Sequence, residues 1–141
     1  MSLDNIFGIA GSALNAQTTR MNATASNLAN AGSVSGSEKE AFRGKRTVFK
    51  TILEGQRGAQ PTPNKGGVRI DTLMDDPAPI SRMSDPGNPA ADKDGYVYLS
   101  NVNEMTEMVE MMAAARSYQN NVEVINTARQ LTMRTLDIIK S

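Results

Sequence analysis

Residues 103–139 read NEMTEMVEMMAAARSYQNNVEVINTARQLTMRTLDII. Met108, Met111, Ala115, Tyr118, Val122 and Ile125 recur at alternating intervals of three and four, the spacing of a helical seam that packs against another helix. The seam falters at Arg129 and Thr132 and resumes at Leu136 and Ile139. Ala128 and Leu131 show the apolar face drifting round the helix, as a 3.6-residue period requires. Asn101 followed by Glu104 resembles a capping box. Glu104, Glu107 and Glu110 occupy the first turns and Arg116, Arg129, Arg134 and Lys140 come later, an order that complements the helix dipole. At 1.5 Å per residue such a helix is about 55 Å long, against about 11 residues for an ordinary globular helix. A helix of that length needs partners.

The other end of the chain carries a thinner version of the pattern. A helix is expected from Leu3 to about Ala31, with Ser2 or Asp4 as its cap and Gly32 as its stop. Phe7, Leu14, Met21 and Leu28 recur every seven residues, while the companion positions Ala10, Gln17, Thr24 and Ala31 are small or mildly polar. That is a weak coiled-coil seam, and it would also serve an ordinary amphipathic helix lying on a core. The sequence thus divides into an N-terminal helix (1–32), a linker and extended loop (33–67), a short β-hairpin region with turns (68–100) and a C-terminal helix (101–141). The hairpin is expected from Val68–Leu73, which alternates with period two, and more weakly from Pro79–Met83 and Tyr96–Leu99. Between the helices, Val48, Phe49, Ile52 and Leu53 form a short mixed segment. Gln60 to Gly67 is rich in Pro and Gly and reads as loop. The fold class is mainly α.

Composition removes most chemistry. Only 4% of the 141 residues are aromatic, and Gly, Pro, Ser, Asn and Asp dominate the middle, leaving it too polar for a compact core. Fifteen basic residues balance fifteen acidic ones, so no net field draws the chain to nucleic acid or an anionic membrane. With no His and no Cys, a Ser-His-Asp triad, a thiol nucleophile and the usual zinc sites are impossible. Gly32-Ser33-Val34-Ser35-Gly36 misses the nucleophile elbow because Val34 stands at its centre. Asp92-Lys93-Asp94-Gly95 has its glycine too early for a calcium loop and reads as a turn. Pro63 spoils a phosphate loop over Gly58–Lys65. Arg43, Lys45, Arg46 and Lys50, interleaved with Phe42 and Phe49, could grip single-stranded nucleic acid, but in a neutral chain they read first as a solvated or protein-contacting face. No catalytic residue, cofactor or metal is therefore expected. Met105, Met108, Met111 and Met112 suit packing against non-identical neighbours. No secretory leader is evident, since the first positive side chain is Arg20 and the apolar stretch Ile6–Ala10 is short, and no run of about 18 apolar residues exists for membrane insertion.

Two terminal helices, a polar middle and no catalytic constellation describe a subunit of a larger assembly. Ile9-Ala10-Gly11-Ser12-Ala13-Leu14-Asn15-Ala16-Gln17 and Ala25-Ser26-Asn27-Leu28-Ala29-Asn30-Ala31 resemble the signature of the bacterial flagellar axial proteins, the rod and hook subunits. Asp85 to Val97 (with Gly95, Tyr96 and Val97), Asn101-Val102-Asn103, and Arg116 to Val122 (with Tyr118 and Gln119) on to Asn126 are similar to the short subunits of the proximal rod. The resemblance implies an antiparallel coiled coil of the two terminal helices in an inner tube, with the middle on the outer surface. It implies a drive-shaft subunit that transmits torque for motility, located in the periplasm-spanning rod of the basal body and exported by the flagellar type III apparatus without a Sec signal. Partners implied are other rod proteins, copies of itself, the export apparatus and the MS-ring or export-gate base. Another short rod protein, or a cytoplasmic helical adaptor or export chaperone, is the alternative.

Overall fold

The computed structural model describes residues 3–52 and 66–140, so the loop expected before Gly66 falls largely outside the described residues, as do Ser2 and Leu53. Two helices dominate: α1, Leu3–Ala29, and α2, Glu104–Lys140. Both expected helices are present, to within a few residues. Their first and last turns differ in detail from the sequence reading. Asn103, not Asn101, caps α2, its Oδ1 accepting the Thr106 N–H at 3.0 Å. α1 ends at Ala29 in a turn where Asn30 Nδ2 donates to the Ser26 carbonyl. Gly32 is not among the glycines with positive φ.

The β structure is more than the single hairpin expected. It comprises β1 (Val34–Ser35), β2 (Lys45–Thr51), β3 (Val68–Asp75), β4 (Arg82–Ser84) and β5 (Tyr96–Leu99). β2 and β3 form an antiparallel pair running from Lys45 opposite Asp75 to Thr51 opposite Val68, with a register slip between Val48 and Phe49. A second sheet has the order β1-β5-β4, all antiparallel. Two strands, β1 and β2, therefore come from the stretch read as linker and loop. β3 pairs backward with β2 rather than forward within residues 68–100. The turn before β5 is held as its composition suggests: Asp92 Oδ1 accepts the N–H groups of Asp94 and Tyr96, both at 2.9 Å. Gly95 takes φ +78° where an added Cβ would lie 3.2 Å from Pro86.

The helices lie side by side in opposite directions. Asn27, near the end of α1, bonds to Glu107 at the start of α2, Arg20 pairs with Glu110, and Ile6 shares a groove with Ala128 and Leu131. The β2–β3 pair covers a different face of α1. Val68 N–H donates to Ser12 Oγ at 3.1 Å, and Arg20 lies 6.0 Å from the ring centre of Phe49. Little is deeply buried. Among the described residues the buried apolar side chains are Ala10, Ala16, Ala41, Val97, Ala114 and Ala128, of which only Val97 is large.

Candidate functional site

Two features can serve an assembly subunit: the faces of the helix pair, and the joint that fixes the β structure to it. On α2, the positions turned toward α1 are Glu107, Met111, Ala114, Tyr118, Asn121, Ile125, Ala128 and Thr132. Each is buried or half-buried, and they alternate by four and three. This column shares Met111, Tyr118 and Ile125 with the seam read from sequence. It takes Glu107, Ala114 and Asn121 where that reading has Met108, Ala115 and Val122. Met108, Val122 and Leu136 are 44%, 36% and 47% exposed, Ala115 is half-buried, and the Ile139 side chain lies outside the described residues. On α1 the deepest positions of the pair, apart from Asn27, are the small ones, Ala10 and Thr24, whereas Phe7, Leu14, Met21 and Leu28 are half-buried along one edge. Small side chains let two helix axes approach closely, and that approach leaves the larger side chains on the rim. Gln17 buries its Oε1 without a hydrogen-bond partner.

At the other end of the pair, polar groups replace apolar ones. Asn27, fully buried, acts as a backbone mimic for β2: its Oδ1 accepts the Lys45 N–H at 2.7 Å and its Nδ2 donates to the Lys45 carbonyl at 2.9 Å. The same Nδ2 donates to Glu107 Oε2 at 3.0 Å, and Glu107, 1% exposed, receives Arg46 Nη1 on its other oxygen at 2.8 Å. Asn101 makes a second clamp. Its Oδ1 accepts the Gly44 N–H at 2.8 Å, and its Nδ2 donates to the carbonyls of Asp76 and Ala78. Asp76 then accepts Arg46 Nε at 2.9 Å and the Ala78 N–H at 2.9 Å. Every buried polar group named here has a partner, the condition under which such a network fixes one geometry. Lys45 also pairs with Asp75, and Arg43 donates to the Ala78 carbonyl. The basic cluster Arg43–Lys50 is thus tied to acids and carbonyls within the chain.

The hydrogen bond from the Ala78 N–H, together with the Arg46 guanidinium, holds the Asp76 carboxyl below its ordinary range. The Arg46 guanidinium is in turn held charged by its bonds to Asp76 and its attraction to Glu107, which outweigh its desolvation. A carboxyl whose folded pKa is depressed contributes stability above its unfolded value, about 3.9 for Asp, and loses it as the pH falls through the folded value. Protection of the Gly44 and Asp76 amides against hydrogen exchange is therefore expected to weaken below the ordinary Asp range. Asp76→Asn should lower protection at neutral pH and flatten that acid-side fall. An unchanged pH profile in the variant would remove Asp76 from this role.

The remaining motif residues have clear positions. Gly95 makes the left-handed turn, Tyr96 lies under Arg82 at 4.8 Å, Val97 is fully buried, and Val102 packs beside Gly44. Asn30 closes α1, Ala29 is exposed at its last position, and Gln119 and Asn126 are exposed on α2. Sequence reading names Glu107 only as a dipole charge and Arg46 only as part of the basic cluster, and it gives Gly44 and Asp76 no part in a site. Glu107, which shares the first turn of α2 with Glu104, carries no local signal that separates it from a dipole charge. Among the described residues no cluster of three metal-ligating side chains occurs, and no helix is long and apolar enough to cross a membrane.

Comparison with known proteins agrees at both ends. Residues 7–36 match the family model described as flagella basal body rod protein, and residues 93–138 match that of the flagellar basal body rod FlgEFG protein C-terminal region. The chain is 51% identical over 138 residues to the flagellar basal-body rod protein FlgC of Yersinia enterocolitica, covering 98% of each chain. Its identity is 46% to the FlgC of Salmonella typhimurium and 46% to that of Buchnera aphidicola from Acyrthosiphon pisum, again over 98% of each. At 46–51% identity over 98% of these relatives, the chain belongs to the FlgC family of flagellar basal-body rod proteins.

Proposed function

We propose that this chain is a structural subunit of the flagellar basal-body rod, polymerising through its terminal helices into the drive shaft that transmits torque for motility. The observation that carries the reading is an imbalance of surface. Among the described residues sixteen large hydrophobic ones are exposed, ten of them on α2 from Met105 to Ile138, against one large apolar side chain in the core. Isolated apolar side chains on a surface are ordinary, but a succession along one helix marks an interaction face. In the rod, neighbouring subunits supply the apolar surface that offsets the entropy of ordering two long helices.

On this reading α1 and α2 form an antiparallel coiled coil in the inner part of the tube, and the β structure faces outward. The named family residues Asn27 and Asn101 are the clamps that keep the two in a fixed relation, so that torque passes between helices and β structure without play. Partners are other rod proteins and further copies of the chain, with the type III export apparatus delivering the subunit and the MS-ring base as the structure it stands on. Leu14→Asp and Val122→Asp place a charge on the rim of the pair, where burial by a neighbour would cost several kcal/mol. Each is expected to abolish swimming in soft agar and to remove the chain from purified basal bodies while its cellular level stays normal. Full motility in both would overturn the reading.

A further inference from the structure

At Met108, Ala115 and Val122 the seam read from sequence stands one residue beyond the one the pair buries, and the offset defines a surface. The bonds from Asn27 to Glu107 and the proximity of Ile6 to Ala128 set the antiparallel register. Continued at seven-residue steps, that register places Leu28 level with Met108, Met21 level with Ala115 and Leu14 level with Val122. At 100° per residue these six residues lie on one flank of the pair. The β2–β3 pair lies on the opposite flank, against Ser12, Ala16 and Thr19 of α1. The open flank is therefore a ladder of apolar layers continuous with the intrachain interface. It is notched where Ala115 stands level with Met21, and beyond Leu14 and Val122 it ends at the exposed Arg129.

We infer that this flank is a groove for a third helix, and that its occupant is the start of α2 from a second copy of the chain; the inference rests on the rod reading above. Met105, Val109 and Met112 are 71%, 57% and 59% exposed. They lie at i, i+4 and i+7 and point directly away from α1, so they form a stripe that none of the described residues covers. The stripe spans two of the ladder's three layers, because Met105 and Met112 are one layer spacing apart. The exposed column Val124, Leu131 and Ile138 does not qualify, since it flanks Ile6 on the side of the pair that carries the β structure. Charge sets the direction: the exposed Glu104 lies toward the end of the groove that carries Arg129 when Met105 enters the Leu14–Val122 layer and Met112 the Met21–Ala115 notch. Groove and stripe are different surfaces of one chain. Their pairing is heterologous, and a heterologous contact that does not close propagates as an open helix.

The chain contains no cysteine, which makes the test direct. Cells co-express two full-length chains, one carrying Val122→Cys and the other Met105→Cys, and purified basal bodies are oxidised. A disulfide-linked dimer of the two chains is expected, because only facing Cβ atoms at close range can bridge. It should be lost when Met105→Cys is paired instead with Ala115→Cys, one layer out of register. Met112→Cys with Ala115→Cys provides a second pair, which does not depend on tolerance at Val122. Chains present in basal bodies without either dimer, or cross-linked only to a different basal-body protein, would overturn the groove assignment alone. Wild-type chain absent from basal bodies would overturn the rod reading and the groove with it.

Discussion

Asn27→Ala is expected to disable the subunit although it removes no apolar contact. Asn27 is fully buried and makes three hydrogen bonds, two to the Lys45 backbone and one to Glu107. Truncation leaves the Lys45 N–H and carbonyl without their Asn27 partners at the place where α1 meets β2. At about 1–3 kcal/mol for a buried group left unpaired, the loss is on the order of 3 kcal/mol, a large share of a small domain's stability. Purified basal bodies should contain little of the variant, and swimming should be lost. Asn27→Asp separates hydrogen bonding from packing. It keeps the acceptor for Lys45 but sets a second carboxylate about 3.0 Å from that of Glu107, and two carboxylates that close cannot both ionise without penalty. The variant should be worse than the wild type at neutral pH and partly restored in mild acid, where one proton is shared. If Asn27→Ala assembles as well as the wild type, the clamp is dispensable and the joint is held by Asn101 and Arg46.

The network around Asn27 also shows where sequence reading reached its limit. The helices were legible because a periodic pattern sustained over 27 and 37 residues outweighs local noise. β2 was not, because it is exposed along nearly its whole length and so has no apolar face to produce a period of two. Its place comes from Asn27 and from β3, which Ser12 anchors in turn, contacts at long sequence separation. Asn101 and Asn103 are both good caps two residues apart, and local pattern does not choose between them. Tertiary structure does: Asn101 is engaged by Gly44, Asp76 and Ala78, leaving Asn103 to cap α2. Half of the seam on α2, at Met108, Ala115 and Val122, stands one residue off for a physical reason, while Met111, Tyr118 and Ile125 face α1 as read. Sequence patterns weight large apolar residues as buried, yet two helices that approach closely bury alanine and leave methionine and valine at the edge. Arg46 and Glu107 read as surface charges because their pairing, like the position of β2, exists only once the chain has folded.

That one-residue offset yields the sharpest contrast available in the chain. Ala114 is fully buried between the helices, while its neighbour Ala115 is half-buried at the rim. Ala114→Leu forces three extra carbons into the closest approach of α1 and α2, and overpacking of this kind costs about 1–3 kcal/mol, with displacement of the helices as the means of relief. Displacement has a further consequence here, because Ala114 lies two turns along α2 from Glu107. Moving α2 outward lengthens the bonds from Glu107 to Asn27 and Arg46 that the joint depends on. Ala115→Leu adds the same volume but meets no α1 backbone, and leucine favours the helix nearly as well as alanine. Amide exchange at Lys45 should therefore accelerate in Ala114→Leu and remain unchanged in Ala115→Leu. In cells both should impair motility, by different routes. Ala114→Leu damages the subunit itself. Ala115→Leu fills the notch level with Met21, so it should leave the joint intact while reducing recovery of the chain in basal bodies. If the two residues exchanged behaviour, with Ala115→Leu loosening the joint and Ala114→Leu leaving it protected, α2 would be rotated by one residue from the geometry described, and the open flank would have to be redrawn on the column Glu107, Ala114 and Asn121.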